Sequence, residues 1–135
     1  MNIKMSKELA KHRLDQAKED LQAAKLLYDA KLYKSANNRA YYSIFHSMKS
    51  VLAMEPIDFK RHKDVQAYFN KMYVSTEKFP KIIGRKIAQA SAIREDSDYD
   101  DEFVVDDKKT LEQINVAEML IKLVEEYLKN DQFKY

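Results

Sequence analysis

Apolar residues recur every three or four positions along most of the chain, which is the spacing of an α-helix that buries one face. The first such stripe begins at Leu14 and predicts a helix that reaches about Ala30. A second helix is predicted from about Lys34 to Met54, because Pro56 lacks an amide donor and pushes the preceding residue out of the α region. The chain therefore opens with two substantial helices.

A short third helix is predicted over residues 62–74, and Pro80 suits the first turn of a fourth helix that fades near Arg94. The acidic stretch 95–102 has no helical period of apolar residues and predicts a loop. The predicted apolar face of the third helix consists of Val65, Tyr68, Phe69 and Met72.

The last helix is predicted to begin at Asp106 and Asp107, which are good capping and first-turn residues, and to reach about Lys129. The tail 130–135 is expected to fray. The predicted apolar face of this helix consists of Leu111, Ile114, Ala117, Leu120 (or Ile121), Val124 and Leu128.

Four main helices and one short helix, joined by short links, predict an all-α fold, an up-and-down antiparallel bundle with one core. With 135 residues, the chain is too short for two ordinary domains. We expect a single domain, 1–135, with its core at about 13–129. No run approaches the roughly 18 apolar residues of a membrane span. We therefore expect a cytoplasmic protein that does not associate with a membrane.

The second helix has two distinct faces. Its polar stripe suits a second, wetter contact surface, which predicts a homodimer. The core-facing arc, about 120° wide at 100° per residue, consists of Tyr41, Ile44, Phe45, Met48, Val51 and Leu52. The polar stripe opposite consists of Arg39, Ser43, His46 and Ser50.

Arg39 and His46 are candidate catalytic residues, since two helical turns place them on one side of the helix, about 10 Å apart along the axis. Arginine offers a fork of donors for a phosphate, and histidine can exchange protons with a ribose hydroxyl or leaving oxygen. Tyr42 is a candidate ring for base stacking. The alternative is that these residues only make polar and packing contacts with neighbouring helices.

Further candidates for nucleotide or RNA binding lie elsewhere in the chain. His62 belongs to a basic cluster, 60–63, which could bind phosphate, cap the third helix or form a solvated edge. Arg94, Asp98 and Tyr99 lie near the end of the fourth helix and could form either a structural clasp or part of a site.

The surroundings of the two arginines differ in charge. Six carboxylates follow Arg94 within eight positions, whereas no acidic residue lies between Tyr33 and Leu52 around Arg39. Carboxylates lower the local potential, so Arg39 is expected to matter more than Arg94 for an anion. The net charge of the whole chain, +2, favours no anionic partner, so any such binding must be local.

Composition excludes several kinds of chemistry. Without cysteine there is no disulfide, thiolate zinc site or cysteine nucleophile. There is no HExxH motif, and a single glycine excludes a glycine-rich phosphate loop. Neither a cofactor nor a metal site is expected.

The segment 35–46 (SANNRAYYSIFH), His62 and the later Arg94-x-x-x-Asp98-Tyr99-Asp100 together resemble the small single-domain HEPN proteins (higher eukaryotes and prokaryotes nucleotide-binding domain) of bacteria and archaea. The resemblance covers about 13–129. It implies an up-and-down helical bundle, usually a homodimer. Such proteins are often made beside a minimal nucleotidyltransferase in a two-gene module of the toxin–antitoxin kind.

Many HEPN proteins are metal-independent ribonucleases with an Arg-x4-6-His motif brought together across the dimer. Here the chain departs from the pattern, because Arg94 stands near the expected place but no histidine follows it within 95–99. Arg39 and His46 satisfy the spacing, but in the second helix. The resemblance therefore leaves the presence of catalysis open.

Three functions remain in view. The first is a dimeric component of a nucleotidyltransferase–HEPN module that binds nucleotide or RNA. The second is a metal-independent ribonuclease. The third is a nucleotide-binding regulatory module without chemistry.

Overall fold

The computed structural model describes residues 3–132, and every regular element in that range is helical. The all-α prediction is thereby confirmed. None of the described helices is both long and apolar enough to cross a membrane. The main helices are α1 (Ile3–Asp29), α2 (Tyr33–Val51), α3 (His62–Phe69), α4 (Lys81–Tyr99) and α5 (Asp107–Tyr127).

Helix α1 begins well before the predicted start at Leu14. The charged N-terminal segment continues the buried stripe, because Ser6 and Ala10 are buried at four-residue spacing ahead of Leu14. The link to α2 contains no glycine, and Lys31 itself adopts the left-handed conformation, with φ of 62°. That single residue reverses the chain so that α2 packs back against α1.

Helix α2 is the centre of the bundle and packs chiefly on α1 and α5. All six residues of its predicted core arc are buried, including Ile44 and Met48. The helix tightens into a 3-10 turn over Leu52–Met54, so the predicted end near Pro56 is close to the observed one.

The predicted third helix corresponds to α3 followed by a π-helical turn, Asn70–Val74. The wider turn shifts the helical phase, so the prediction of a buried Met72 is wrong and Tyr73 and Val74 are buried instead. Helix α4 crosses this turn closely at Gly84. A Cβ atom there would lie 2.9 Å from Val74 Cγ1, which explains glycine at this position.

Helix α4 continues to Tyr99, so the prediction of a loop over 95–102 is wrong for its first half. The last turns are anchored by polar contacts instead of an apolar stripe. Ser97 is buried, and Arg94 forms an i,i+4 ion pair with Asp98.

Helix α5 starts as predicted, because the Asp106 carboxylate accepts a hydrogen bond from the Lys109 amide at 2.8 Å. The same backbone hydrogen bond lowers the pKa of Asp106. Ile114, Ala117, Leu120, Ile121 and Val124 are buried as predicted, while Leu111 is exposed. The chain continues in a π-helical turn, Leu128–Gln132, so fraying from residue 130 is not what the structure shows, and residues 133–135 lie outside the described part of the chain.

Candidate functional site

The polar stripe of α2 faces α1 along its whole length, and we call this contact the α1–α2 seam. Ser43 Oγ donates to the Ala17 carbonyl and Ser50 Oγ donates to the Ala10 carbonyl, each at 2.7 Å. Both serines are fully buried. The interpretation of this stripe as a second, wetter contact surface is therefore wrong for the serines. The seam consists of Arg39, Ser43, His46 and Ser50 from α2 and the α1 groups that they contact.

Asp20 of α1 joins the two candidate catalytic residues. Its carboxylate lies 3.2 Å from Arg39 Nη1 and 2.9 Å from His46 Nδ1, and it also accepts from Gln16 Nε2 at 3.3 Å. Asp20 is only 3% exposed. The expectation of a carboxylate-free neighbourhood around Arg39 is thus wrong, because the fold supplies an acid from another helix.

The sequence contained a signal for Asp20. It lies three residues after Ala17 and four before Ala24, on the buried stripe of α1. A carboxylate in that position needs a partner, since an unpaired buried charge is costly. Arg39 and His46 are the partners that α2 provides.

The ring of Tyr42 lies at the centre of the candidate residues. Arg39 Cζ is 4.8 Å and Arg94 Cζ 5.9 Å from its centroid. The ring centroids of His62 and His46 lie 5.5 Å and 6.2 Å away. Three helices thus bring five of the predicted residues together. We call Asp20, Arg39, Tyr42, His46, His62 and Arg94 the Tyr42 site.

His62 is held against aromatic rings at the start of α3. Its centroid lies 4.0 Å from that of Phe45, and its Nδ1 lies 3.2 Å from Tyr41 Oη. Burial, with smaller contributions from Arg94 and other nearby cations, lowers the pKa of His62. Burial raises the pKa of Tyr41, so this hydroxyl keeps its proton and shares a hydrogen bond with His62 Nδ1.

Arg94 forms an ion pair within α4 and also lies beside an aromatic ring of α2. Its Nε lies 2.9 Å from Asp98 Oδ2 in an ion pair, and its Cζ lies 5.1 Å from the centroid of Tyr41. The Arg94 side chain is 18% exposed. Tyr99 is 80% exposed, and within the described residues its ring makes no contact with the ring of Tyr42.

The Tyr42 site combines two guanidinium groups, two imidazoles and an aromatic ring with the carboxylate of Asp20, and the carboxylate of Asp98 lies against Arg94. Each guanidinium carries five N–H donors, more than one carboxylate can use, so donors remain for an oxyanion. His46 Nδ1 must carry a proton to donate to Asp20, which leaves Nε2 for proton exchange when the ring is neutral. No group of three or more acidic or histidine residues in the described part of the chain is arranged to hold a metal ion.

The chain is similar to proteins of known family. The HEPN domain matches residues 10–127. "Putative toxin MJ0605" of Methanocaldococcus jannaschii is 37% identical over 117 residues, which is 84% of this chain and 84% of that protein. A UPF0332 protein of Thermotoga maritima is 29% identical over 114 residues, covering 84% of this chain and 86% of the relative. The chain therefore belongs to the HEPN domain family.

Proposed function

We propose that this HEPN protein binds a nucleotide or an RNA at the Tyr42 site, as a component of a module of the toxin–antitoxin kind. One observation carries the proposal. Two guanidinium groups and two imidazoles from three helices surround the partly exposed ring of Tyr42. Phosphates and bases are recognised by such donors beside an aromatic ring.

The carboxylates hold the arginines without using all of their donors. Asp20 and Asn38 each accept one N–H of Arg39, and Asp98 lies against Nε of Arg94, so the remaining N–H groups of each fork can meet a phosphate. Because the pairs are already in place, the two arginine side chains lose little conformational entropy on binding. Both arginines are therefore expected to contribute.

A titration of fluorescently labelled nucleotides and a short single-stranded RNA tests the site. We expect saturable binding by the wild-type protein and about tenfold or greater weakening by Arg39→Ala and by Arg94→Ala. Lys122→Ala is the control, because it removes one positive charge at an exposed position of α5, a helix that contributes no residue to the Tyr42 site. Absence of saturable binding by the wild type, or equal weakening in the control, would contradict the proposal.

A second candidate function is metal-independent cleavage of RNA, and the contact between Asp20 and His46 favours it. A carboxylate on Nδ1 fixes the tautomer and orientation of an imidazole whose Nε2 then acts as a base or an acid. His46 Nε2 would take the proton of a 2′-hydroxyl while the 2′-oxygen bonds to the adjacent phosphorus. The bond from phosphorus to the 5′-oxygen of the next nucleotide would break, that oxygen would take a proton from water, and Arg39 would stabilise charge on the phosphate.

Incubation of RNA with pure protein in a chelator separates the two functions. Cleavage that His46→Gln abolishes, while RNA binding is retained, supports the ribonuclease. Binding without any cleavage identifies a nucleotide-binding module without chemistry and overturns this second candidate.

The partner in the proposed module is a nucleotidyltransferase, and the protein itself works as a homodimer. Two M. jannaschii relatives carry the name toxin; the second, "Putative toxin MJ0142", is 31% identical over 100 residues, 74% of this chain and 67% of that protein. We expect expression of the chain alone to slow growth of a bacterial host and co-expression of a nucleotidyltransferase encoded beside it to restore growth. Unimpaired growth in the absence of that partner would contradict the assignment.

A further inference from the structure

Helix α4 exposes one continuous face along its length. The side chains of this outer face follow one another at steps of three or four residues, apart from two adjacent pairs, and all of them are exposed. On the opposite face of the same helix, Ile83, Ile87 and Ala90 are buried. The outer face consists of Lys81, Arg85, Ala88, Gln89, Ala92, Glu95, Asp96 and Tyr99.

Basic and acidic residues lie at opposite ends of this outer face. Its first half carries Lys81 and Arg85, its second half carries Glu95 and Asp96, and small alanines lie between them. The order is opposite to the one that the helix dipole favours, since acids belong near an N-terminus and bases near a C-terminus. Helix α4 has no acidic residue in its first turn and no basic residue in its last. Within one copy, Lys81 in the first turn and Asp96 in the last turn therefore stand where the dipole disfavours their charges.

The charges near the middle of the outer face are also unpaired within one copy. Lys81 has Glu77 at 3.8 Å, but no ion pair joins Arg85, Glu95 or Asp96 to any other residue that the structure describes. Grooves lie on both sides of the helix. The larger one, about 730 Å³, runs between α4 and α3, and a smaller one, about 380 Å³, runs between α4 and α5. Helix α4 thus forms a ridge that no part of the described chain covers.

We propose that the outer face of α4 is a self-complementary interface, on which α4 of a second copy lies antiparallel about a two-fold axis. The inference rests on the homodimer of the proposed function and names its contact surface. With the axis near the level of residue 90, Arg85 of each copy faces Glu95 and Asp96 of the other. Ala88 of each copy then faces Ala92 of the other, and these small side chains permit a close approach.

The antiparallel arrangement gives partners to the unpaired charges of the outer face and offsets their unfavourable order relative to the helix dipole. Each basic half meets an acidic half, and the dipoles of the two helices oppose each other. A crossing angle of about 20°, which is common for long helix pairs, keeps Arg85 within reach of the opposite carboxylates. A second copy is therefore the occupant that the charge pattern selects.

Sedimentation of three charge variants at micromolar concentration tests the interface. We expect the wild type to be a dimer and Arg85→Glu to weaken dimerisation about tenfold or more, since it places like charges opposite each other. The double variant Glu95→Lys/Asp96→Lys should be weakened similarly. An equimolar mixture of the two variants should form a heterodimer, because every facing pair in it is again of opposite charge.

The matched control is Lys71→Glu, an equal change of charge at an exposed position outside α4. It should leave the dimer intact. The Tm of Arg85→Glu should not fall under conditions where both proteins are monomeric, since Arg85 is exposed and forms no ion pair with another residue that the structure describes. Dimers that persist in all variants would overturn this surface while leaving the homodimer standing. A monomeric wild type would overturn both, and the nucleotide titration would still test the Tyr42 site separately.

Discussion

The α1–α2 seam divides into an inner part and an outer part that differ in chemistry although both lie on one stripe of α2. In the inner part, Ser43 and Ser50 are fully buried and donate to backbone carbonyls of α1. In the outer part, the side chains of Arg39 and His46 are 39% and 27% exposed and share the buried carboxylate of Asp20. The inner part fastens two helices together, whereas the outer part retains unused donors at the surface.

This difference shows why the spacing of polar residues alone does not identify a site. A serine hydroxyl bonded to a carbonyl has no further donor to offer, but a guanidinium bonded to one carboxylate still has several. The size of the side chains also separates the two parts of the seam. Small serine side chains let the helices approach each other, whereas the long charged side chain of arginine extends to solvent.

The largest effect is expected beneath the seam, in the core. Met48 is 1% exposed, and Met48→Ala should lower the free energy of unfolding by about 2–5 kcal/mol. His46→Ala, two residues away on the outer part, should cost less than about 1 kcal/mol, because Asp20 keeps Arg39 and Gln16 as partners. Urea unfolding of both variants checks the ranking. A larger loss in His46→Ala would show that the outer part is structural too.

A smaller effect is expected from the inner part of the seam. Ser50→Ala removes one buried hydrogen bond to a helix carbonyl and should cost about 0.5–1.5 kcal/mol. Thermal unfolding measures this loss. A Tm equal to that of the wild type would mean that the hydroxyl contributes nothing to fastening α1 and α2.

The smallest effect is a pH dependence that belongs to His62. The lowered pKa means that the unfolded chain binds more protons than the folded one between the folded value and the ordinary value of 6.5. His62 therefore contributes full stability above about pH 6.5, and this contribution is lost as pH falls through the folded pKa. The Tm between pH 7.5 and 5 should fall less steeply in His62→Gln than in the wild type. Parallel curves would contradict a neutral, partly buried His62.

The core of α2 could be predicted from sequence because a single apolar period decides it, as the burial of Tyr41, Ile44 and Met48 shows. The end of α4 could not, since the Arg94–Asp98 ion pair and buried Ser97 maintain helix without any apolar stripe. Hydrophobic periodicity does not detect such anchors.

The sequence predicted most residues of the candidate site, but it did not predict which of them are in contact. Arg39, Tyr42 and His46 follow from their places on the second helix. His62 follows from the basic cluster 60–63 and Arg94 from its place near the end of the fourth helix, and the family resemblance includes both. Asp20 lies 19 positions before Arg39, and only the packing of α1 on α2 brings the two together. Tyr99, which follows Asp98 directly, is turned to solvent by the same helical geometry that places Arg94 at the site.

The most direct test of the difference between the inner and outer parts of the α1–α2 seam compares two double variants. These are Ser43→Ala/Ser50→Ala and Arg39→Ala/His46→Ala. Unfolding and binding of labelled single-stranded RNA are measured on the same samples. We expect the serine variant to lose about 1–3 kcal/mol of stability and to bind RNA like the wild type. The Arg39/His46 variant should bind at least about tenfold more weakly while staying folded. Unchanged RNA binding by the Arg39/His46 variant would contradict the account.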